Sequence, residues 1–411
     1  FAATLDRILE GWVVGLSLAT MSMRTSEDPE ALIDSIRGKN RYVTAYLMDV
    51  VFRDQPPAIQ EFLLKTSILD RFCGPLCEAV ASTDDPVCDG TEYVEWLDRA
   101  NLFVVSLDDF GEWYRYHNLF RDFLLTKLHD EVPSSEVDGL HRLAAQWFAD
   151  HGYLEEAMQH AIVAEDTTSA VQLVEDNSHD LLNGVERWTL DRWLSRLPQD
   201  VVWRRPKLLI AKSWLLYRQG QQGEMGRILD RAQTCLESEN DQSLTPIDEG
   251  IAWSQLNALR AAVAFSVDDF SGSFEASELA LRQHDIVPVA AGIALMFGAF
   301  AQQMLGQKKA AQSRVYQVLD NADPAGPAIT QSLIGLSFMH LAAGELHELS
   351  LATQRFLTHS KQTGNVNAIV ASNWLAGILL YEWNELEEAR AHLDIAGARR
   401  FESNYSASVN S

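Results

Sequence analysis

Residues 143–164, which read LAAQWFADHGYLEEAMQHAIVA, contain the pattern that decides the fold. Apolar residues recur at helical spacing on both sides of Gly152, which is typical of two helices joined by a short turn. Counted from Gly152, the small residues Ala157, Ala161 and Ala164 fall at offsets +5, +9 and +12. Small side chains at these offsets allow the two helices to approach each other closely. The stretch therefore predicts one helix–turn–helix unit.

The same unit repeats along the rest of the chain. Turns in the same frame occur at Gly152, Gly184, Gly220, Gly306, Gly344 and Asn384. The intervals between them are 32, 36, 86, 38 and 40 residues, and the interval of 86 holds two units with a further turn near Asp268. Each hairpin would bury its apolar face against the next one. Residues 133–411 are therefore predicted to form an α-solenoid of the tetratricopeptide type.

The only strand signals lie between residues 102 and 117. The runs LFVVSL (102–107) and EWYRYH (112–117) are rich in β-formers and flank an Asp-Asp-Phe-Gly turn. Helical patterns precede this hairpin, including residues 91–100, and another follows at 119–128. This order predicts a winged-helix domain over residues 55–132. Residues 1–54 predict a separate helical domain, so the fold class is mostly all-α.

Acidic residues dominate the charge of the chain. Asp and Glu number 58 against 33 Lys and Arg, which gives a net charge of −25. The helix before the wing carries Glu92, Glu95 and Asp98 against Arg99. Phosphate contacts require the opposite sign, so we interpret the winged helix as a protein-interaction or nucleotide-closing module.

The sequence also argues against a membrane span and against a metal site. The longest apolar runs, such as Val289–Ala301, are shorter than the roughly 20 residues that a spanning helix needs. Cys73, Cys77 and Cys88 lie close together, but they lack the paired spacing and the fourth ligand of a structural zinc site. We expect buried thiols, no bound metal and a cytoplasmic location.

No catalytic motif is present in the sequence. It contains neither the phosphate-binding pattern G-x-x-x-x-G-K-[ST] nor a G-x-S-x-G elbow. Acidic neighbours such as Glu387 and Glu388 point in directions that differ by about 100° on a helix, so they cannot act as a catalytic pair. We therefore expect that the chain is not an enzyme.

Four stretches resemble one family of proteins. They are EGWVVGLSL (10–18), EFLLKTSIL (61–69), WYRYHNLF (113–120) and YEWNELEEA (381–389). In this order they are similar to the MalT-like regulators, which are large ATP-binding transcriptional regulators of the LuxR type and belong to the signal-transducing (STAND) ATPases. In that family a P-loop ATPase is followed by a helical domain, a winged helix, a helical-repeat sensor and a DNA-binding helix-turn-helix.

The resemblance implies that this chain is an internal fragment that lacks the P-loop and the DNA-binding tail. ATP or ADP would belong to the parent protein, and DNA would be contacted only through the missing C-terminal domain. His117 matches the winged-helix histidine that touches the nucleotide diphosphate in this class. Gly11 and Trp12 match the start of a Gly-x-Pro element that lies against the adenine, although Val13 stands where Pro is expected.

The repeats supply candidate residues for effector binding. In a tetratricopeptide unit, offsets −10, −6 and −3 from the turn point from the first helix toward the concave face. Aromatic residues at these offsets are Trp214, Tyr217, Phe300, Phe338, Trp374 and Tyr381. With polar neighbours such as Gln303 and Glu382, they suit a sugar or another small organic effector. The alternative interpretation is that these rings only pack between helices.

We therefore interpret the chain as the regulatory sensor core of a MalT-like transcriptional regulator. A small-molecule effector such as a sugar, or an inhibitory protein, would bind the repeats, and self-association would follow activation. One alternative is a repeat scaffold for protein–protein interaction unrelated to transcription, which would need Lys and Arg at concave positions to hold a peptide carboxylate. The other is an α-helical hydrolase, which would need facing carboxylates there. The concave offsets carry mainly apolar and aromatic residues instead.

Overall fold

The structure is a computed structural model, and it describes residues 49, 52–81, 90–99, 104–183, 187–238, 244–283, 286–321 and 327–399. Within these residues the chain forms nineteen helices and one two-stranded sheet. The mostly all-α fold is therefore confirmed. The helices expected for the first fifty or so residues, together with Gly11 and Trp12, lie outside the described residues. The chain divides into two compact units, Phe1–Leu173 and Val174–Ser411.

The first unit contains the winged helix and the first helical hairpin. Its elements are α1 (Pro57–Thr66), α2 (Gly74–Ala81), α3 (Gly90–Arg99), β1 (Val104–Ser106), β2 (Tyr114–Tyr116), α4 (Asn118–Glu131), α5 (Ser134–Asp150) and α6 (Leu154–Val163). β1 and β2 pair antiparallel, with Val105 opposite Arg115. On the side of the turn the two strands end earlier than predicted, after Ser106 and before Tyr114. The Asp108 carboxylate accepts the backbone N–H groups of Phe110, Glu112 and Trp113, which extends the turn.

The core of the winged helix is built on the second strand. Tyr116 is buried, its ring lies 4.6 Å from that of Phe72, and its hydroxyl shares a 2.7 Å hydrogen bond with the Thr66 hydroxyl. Burial raises the pKa of Tyr116 well above its usual value, so the phenol remains neutral. Phe72 also joins β2 directly, since its backbone exchanges two hydrogen bonds with Tyr114. The segment EFLLKTSIL (61–69) is thereby fixed against the wing.

The second unit is a succession of helical hairpins. After α7 (Thr167–Asn183), which spans the division between the units, the helices are α8 (Arg187–Arg196), α9 (Gln199–Val202), α10 (Pro206–Arg218), α11 (Gln222–Glu237), α12 (Pro246–Ser266), α13 (Phe270–Leu281), α14 (Pro288–Met304), α15 (Lys308–Asn321), α16 (Pro327–Ala342), α17 (Leu346–Thr363), α18 (Val366–Glu382) and α19 (Leu386–Ala398). Among the described residues, no helix is both long and apolar enough to cross a membrane.

The backbone at the turns confirms the predicted repeat frame. Positive φ angles occur at Gly152, Gly220, Asp268, Gly306, Gly344 and Asn384. These are the predicted turn positions, except for Gly184, which lies outside the described residues. Glycine adopts this left-handed conformation without a steric cost, and Asp and Asn tolerate it better than most residues do. The small residues that follow Gly152 at offsets +5, +9 and +12 are all buried.

Candidate functional site

The helix that precedes the wing presents acidic side chains to solvent. Glu92, Glu95 and Asp98 on α3 are exposed. Arg99, the basic residue of that helix, lies 3.3 Å from the Glu95 carboxylate. This surface would repel a phosphate backbone, which supports a role other than DNA reading for the winged helix.

His117 lies at the junction between β2 and α4. It occupies the N-cap position of α4, and only 4% of it is exposed. Its ring is therefore largely shielded by the winged helix. Gly11 and Trp12, which are predicted to contact the adenine, lie outside the described residues.

One side of the winged helix packs on the first helical hairpin through an aromatic and charged cluster. We call the residues Arg71, Trp113, Trp147, Tyr153 and Glu156 the joint. The guanidinium carbon of Arg71 lies 4.5 Å from the ring centroid of Trp113 and 4.9 Å from that of Tyr153. Arg71 also forms an ion pair with Glu156 on α6. A cation between two rings, with a carboxylate partner, combines cation–π and charge-assisted attraction.

The aromatic rings of the joint also contact one another. Trp113, in the turn before β2, lies 5.3 Å from Tyr153 and 6.3 Å from Trp147. Trp147 and Tyr153 are nearly parallel, and Trp147 stacks on His151 at 3.9 Å. Both sides of the contact therefore contribute large apolar surfaces that hold the wing against the hairpin.

Three further side chains, those of Asp70, Arg121 and Gln159, extend this contact. Asp70 lies 2.5 Å from Arg121 on α4 and 3.5 Å from the Gln159 amide on α6. Arg121 in turn donates to the backbone carbonyl of Ser67 at 3.1 Å. Asp70 thus links the winged helix to the hairpin at a second point.

A pair of histidines joins the two helices of the first hairpin. Nδ1 of His141 on α5 lies 2.7 Å from Nδ1 of His160 on α6. Burial, followed by the effect of neighbouring His141, lowers the pKa of His160 to about 4. Burial also lowers the pKa of His141. Both rings are therefore neutral at neutral pH, with one nitrogen donating and the other accepting.

In the second unit, aromatic side chains form a continuous row across the first helices of successive hairpins. The aromatic row consists of Trp214, Tyr217, Phe265, Phe297, Phe300, Phe338 and Trp374. Neighbouring ring centroids are 5.6–6.3 Å apart. The row thus connects α10, α12, α14, α16 and α18.

The predicted effector residues differ in how they take part in this row. Trp214 belongs to it but is 2% exposed, and its indole N–H donates to the Gln255 side chain at 2.8 Å. Tyr217, Phe300, Phe338 and Trp374 are partly exposed. These four side chains have exposed ring surface that a ligand could contact. Trp214 is buried and packs against Tyr217.

Tyr381 does not share the environment of the row. It lies near the end of α18 and is 65% exposed. The ring pairs found among the described residues do not include it. Two members of the row were missed by the sequence prediction, Phe265 and Phe297. Phe265 lies three residues before Asp268, so the −3 offset would have found it if the Asp268 turn had been used.

Polar groups accompany the aromatic row. The Gln303 side chain donates to the backbone carbonyl of Met339 at 2.9 Å, which ties α14 to α16 beside Phe300 and Phe338. The carbonyl oxygen of the same amide is buried and has no hydrogen-bond partner in the described part of the chain. The neighbourhood of the row is thus aromatic and amide-bearing, which suits a neutral ligand that has hydrogen-bonding groups.

Among the described residues, no group of three or more His, Cys, Asp and Glu side chains is placed to hold a metal ion. Cys77 and Cys235 are buried, and Cys73 is partly buried with its pKa raised chiefly by burial. Cys88 lies outside the described residues.

The comparisons with known proteins agree with this architecture. Residues 48–136 match the family model of the MalT winged helix domain. A crystal structure of a STAND protein with a tetratricopeptide repeat sensor from Pyrococcus horikoshii has a TM-score of 0.56 at 13% identity. That match covers 94% of this chain and 59% of the other. At this identity, the likeness shows a shared fold.

Sequence relatives are longer than this chain. It is 29% identical over 402 residues to the serine/threonine-protein kinase PknK of Mycobacterium tuberculosis, and the same values hold for PknK of Mycobacterium bovis. Each match covers 95% of this chain and 34% of the relative. The chain therefore spans about a third of the length of the curated relatives it matches.

Proposed function

We propose that this chain, a MalT-like regulatory region with a MalT-type winged helix and a tetratricopeptide-like sensor, recognises an effector on its aromatic row and relays that event to the winged helix. The ligand would be a neutral small molecule such as a sugar, or an inhibitory protein. The ligand would bind one conformational state of the chain more tightly than the other, and this difference in affinity would drive the change at the winged helix.

The aromatic row is the observation that carries this proposal. Five successive first helices contribute rings that touch each other, and four of the predicted side chains keep part of their surface exposed. A ligand lying on the row would contact several hairpins at once and so favour one arrangement of them. Aromatic faces with nearby amide groups are typical of sites for neutral, hydroxyl-bearing ligands.

The joint supports the second half of the proposal. It fastens the first hairpin to the winged helix through Arg71 and the rings of Trp113 and Tyr153. A displacement of this hairpin would therefore be passed to the wing instead of being absorbed by a loose linker. In the parent protein, the wing would pass it on to a nucleotide-binding ATPase, and self-association and DNA binding would follow through domains outside this chain.

Under this proposal, the chain is not an enzyme. ATP or ADP would be held by the parent protein, with His117 as the contribution of this chain to that site. Transcription regulation, ATP binding and DNA binding would be properties of the parent, and we expect them in the cytoplasm.

Substitution of Trp374 by Ala tests the proposal. A thermal-shift panel of neutral mono- and oligosaccharides would first identify a ligand that raises the melting temperature of the wild-type chain. We expect Trp374→Ala to bind that ligand about tenfold or more weakly, because a desolvated stacking surface is worth roughly 1–3 kcal/mol. Trp383→Ala is the matched control, since Trp383 is 42% exposed but does not belong to the row.

Two outcomes would contradict the effector site. One is a Trp374→Ala chain that melts earlier but binds the ligand as the wild type does, which would assign the ring to packing alone. The other is a rise in the melting temperature of the chain with peptides that end in a free carboxylate, and with none of the sugars. That result would favour a repeat scaffold for protein–protein interaction.

A further inference from the structure

A cleft of about 430 Å³ lies between α15, α16 and α17 of the second unit. This volume is within the range of pockets that hold small organic molecules. The lining side chains come from the end of α15, the first half of α16 and α17, and among the described residues none of them belongs to the aromatic row. The cleft is therefore a different place from the proposed effector site.

Four of the lining side chains are aliphatic. Leu319 on α15 and Ile329 and Leu333 on α16 are at most 5% exposed. Leu351 on α17 is 52% exposed and adds aliphatic surface that is open to solvent. Covering such surface removes it from water, so this part of the cleft suits the hydrocarbon portion of a ligand.

Arg355 on α17 brings a positive charge to the cleft. It is exposed, and its Nη2 donates to the backbone carbonyl of Leu319 at 3.0 Å. That carbonyl is one of the last four of α15, which have no partner within their own helix. The contact positions the guanidinium beside Leu319 but uses only one of its five N–H groups. The guanidinium thus has the capacity to bind a carboxylate as well.

Arg355 differs from other basic side chains of the unit in having no acidic partner. Among the described residues, the ion pairs found do not include Arg355. Four basic side chains from the same unit each pair with an Asp or Glu, and they are Lys207, Arg260, Lys308 and Arg314. In a chain with a net charge of −25, a cation without a carboxylate next to an aliphatic surface favours an anionic ligand with an apolar group.

The remaining lining groups limit that ligand to a single negative charge. Gln354, Thr358 and Gln362 are neutral. Nε2 of His359 lies 2.8 Å from the hydroxyl of Thr330, and both residues are buried. One guanidinium compensates one charge, so a second charge on the ligand would meet only the negative field of the chain. A monocarboxylate therefore fits better than a phosphate dianion.

We propose that this cleft binds an aliphatic monocarboxylate, with its hydrocarbon chain against the four aliphatic side chains and its carboxylate on Arg355. The ligand contacts α15, α16 and α17 together, and so it stabilises the interface between two successive hairpins. The site is independent of the aromatic row and of the ligand proposed there.

Isothermal titration calorimetry of the chain with sodium octanoate tests the proposal. We expect one saturable site with a Kd below about 1 mM. Arg355→Gln should bind octanoate about tenfold or more weakly, because the carboxylate loses its charged partner. Octan-1-ol, which has no carboxylate, should be weaker on the wild type by a similar factor. Arg390→Gln is the matched control, since Arg390 lies outside the cleft and its side chain is 79% exposed. It should bind octanoate as the wild type does.

Chain length and Leu351 test the aliphatic part of the site. From butanoate to octanoate, each added methylene should tighten binding by up to about fourfold. Leu351→Asn should weaken octanoate binding by about threefold or more, and the exposure of this side chain makes the substitution tolerable to the fold. Circular dichroism would establish that each variant is folded.

Several results would overturn the proposal. Octanoate might show no saturable binding up to about 10 mM, or Arg355→Gln might bind it as tightly as the wild type does. Inorganic phosphate that binds as tightly as octanoate would indicate a general anion site. Trp374→Ala should leave octanoate binding unchanged, and a loss of binding in that variant would place the carboxylate on the aromatic row instead.

Discussion

At the scale of single residues, the buried imidazole pair of His141 and His160 is sensitive to protons. The 2.7 Å contact between the two Nδ1 atoms needs one donor and one acceptor, and burial disfavours a charged ring. The folded-state pKa of His160 is about 4, which is below its unfolded value of about 6.5. When the pKa of a histidine is lower in the folded state than in the unfolded state, the protein is most stable above the unfolded-state pKa. Stability is then lost as the pH falls from the unfolded-state pKa toward the folded-state pKa.

We therefore predict that the first unit loses stability between about pH 6.5 and pH 4. The pKa difference corresponds to about 3 kcal/mol of unfolding free energy for His160, and the lowered pKa of His141 acts in the same direction. Urea unfolding followed at several pH values measures this loss. His160→Asn keeps a polar atom near the Nδ1 position but cannot titrate, so its stability should vary less with pH. If the slope is the same in both proteins, the pair is not the titrating group.

The aromatic row illustrates what the sequence could predict at this scale. The offsets identified Tyr217, Phe300, Phe338 and Trp374 as members of the row because the turn fixes which face of the first helix each position occupies. The offsets predict the direction in which a side chain points, but they do not predict whether residues of neighbouring helices cover it. Trp214 is therefore covered and Tyr381 is open to solvent, a difference that depends on residues far away in the chain.

At the scale of elements, close helix packing depends on small residues at particular positions. A Cβ atom added to Gly298 on α14 would lie 2.0 Å from Oγ of Ser277 on α13. Ser277 is buried and donates to the backbone carbonyl of Ala294 at 2.6 Å, so it cannot move away without losing that bond. The contact holds α13 and α14 together.

Substitution of Gly298 by Ala should therefore destabilise the second unit by about 1–3 kcal/mol, since the overlap outweighs the gain in helix propensity. Gly226→Ala on α11 is the control. Its added Cβ would meet Val263 at 3.5 Å, which is an ordinary contact, so we expect it to be neutral or stabilising by up to about 1 kcal/mol. Chemical denaturation of both variants measures the difference. Equal effects would mean that packing at Gly298 is looser than the structure indicates.

The joint yields a second prediction at this scale. Arg71→Gln should lower the stability of the first unit by about 1–2 kcal/mol, because the cation–π contacts and the ion pair with Glu156 are lost together. Arg99→Gln removes only an exposed pair and should cost no more than about 0.5 kcal/mol.

A double-mutant cycle of Arg71→Gln with Tyr153→Leu isolates the contact itself. We expect a coupling of about 0.5–2 kcal/mol, and additive effects would show that Arg71 and Tyr153 act independently. The sequence did not predict the joint. Its members come from positions 71 to 156, and only the tertiary fold brings them together. In contrast, the turns and the order of helices and wing follow local patterns, and those that lie within the described residues were predicted correctly.

At the scale of the whole chain, charge limits the possible partners. The net charge is −25, and the exposed side of α3 adds acidic side chains where a DNA-reading winged helix needs basic ones. We predict no binding to duplex DNA at physiological salt. A mobility-shift assay with a random duplex at several salt concentrations checks this. A complex that weakens steeply with added salt would reveal a basic patch and contradict the prediction.

The stacked hairpins of the second unit also have a mechanical consequence. From α10 to α19, the main packing contacts of each helix are with the next one or two helices on either side. When the unit is stretched, the helix–helix interfaces act like springs in series. Each interface carries the same force and extends according to its own stiffness. A ligand that contacts several rings of the aromatic row would stiffen only the interfaces between the hairpins that it contacts. The unit could then convert a binding event into a change of compliance without any single large hinge.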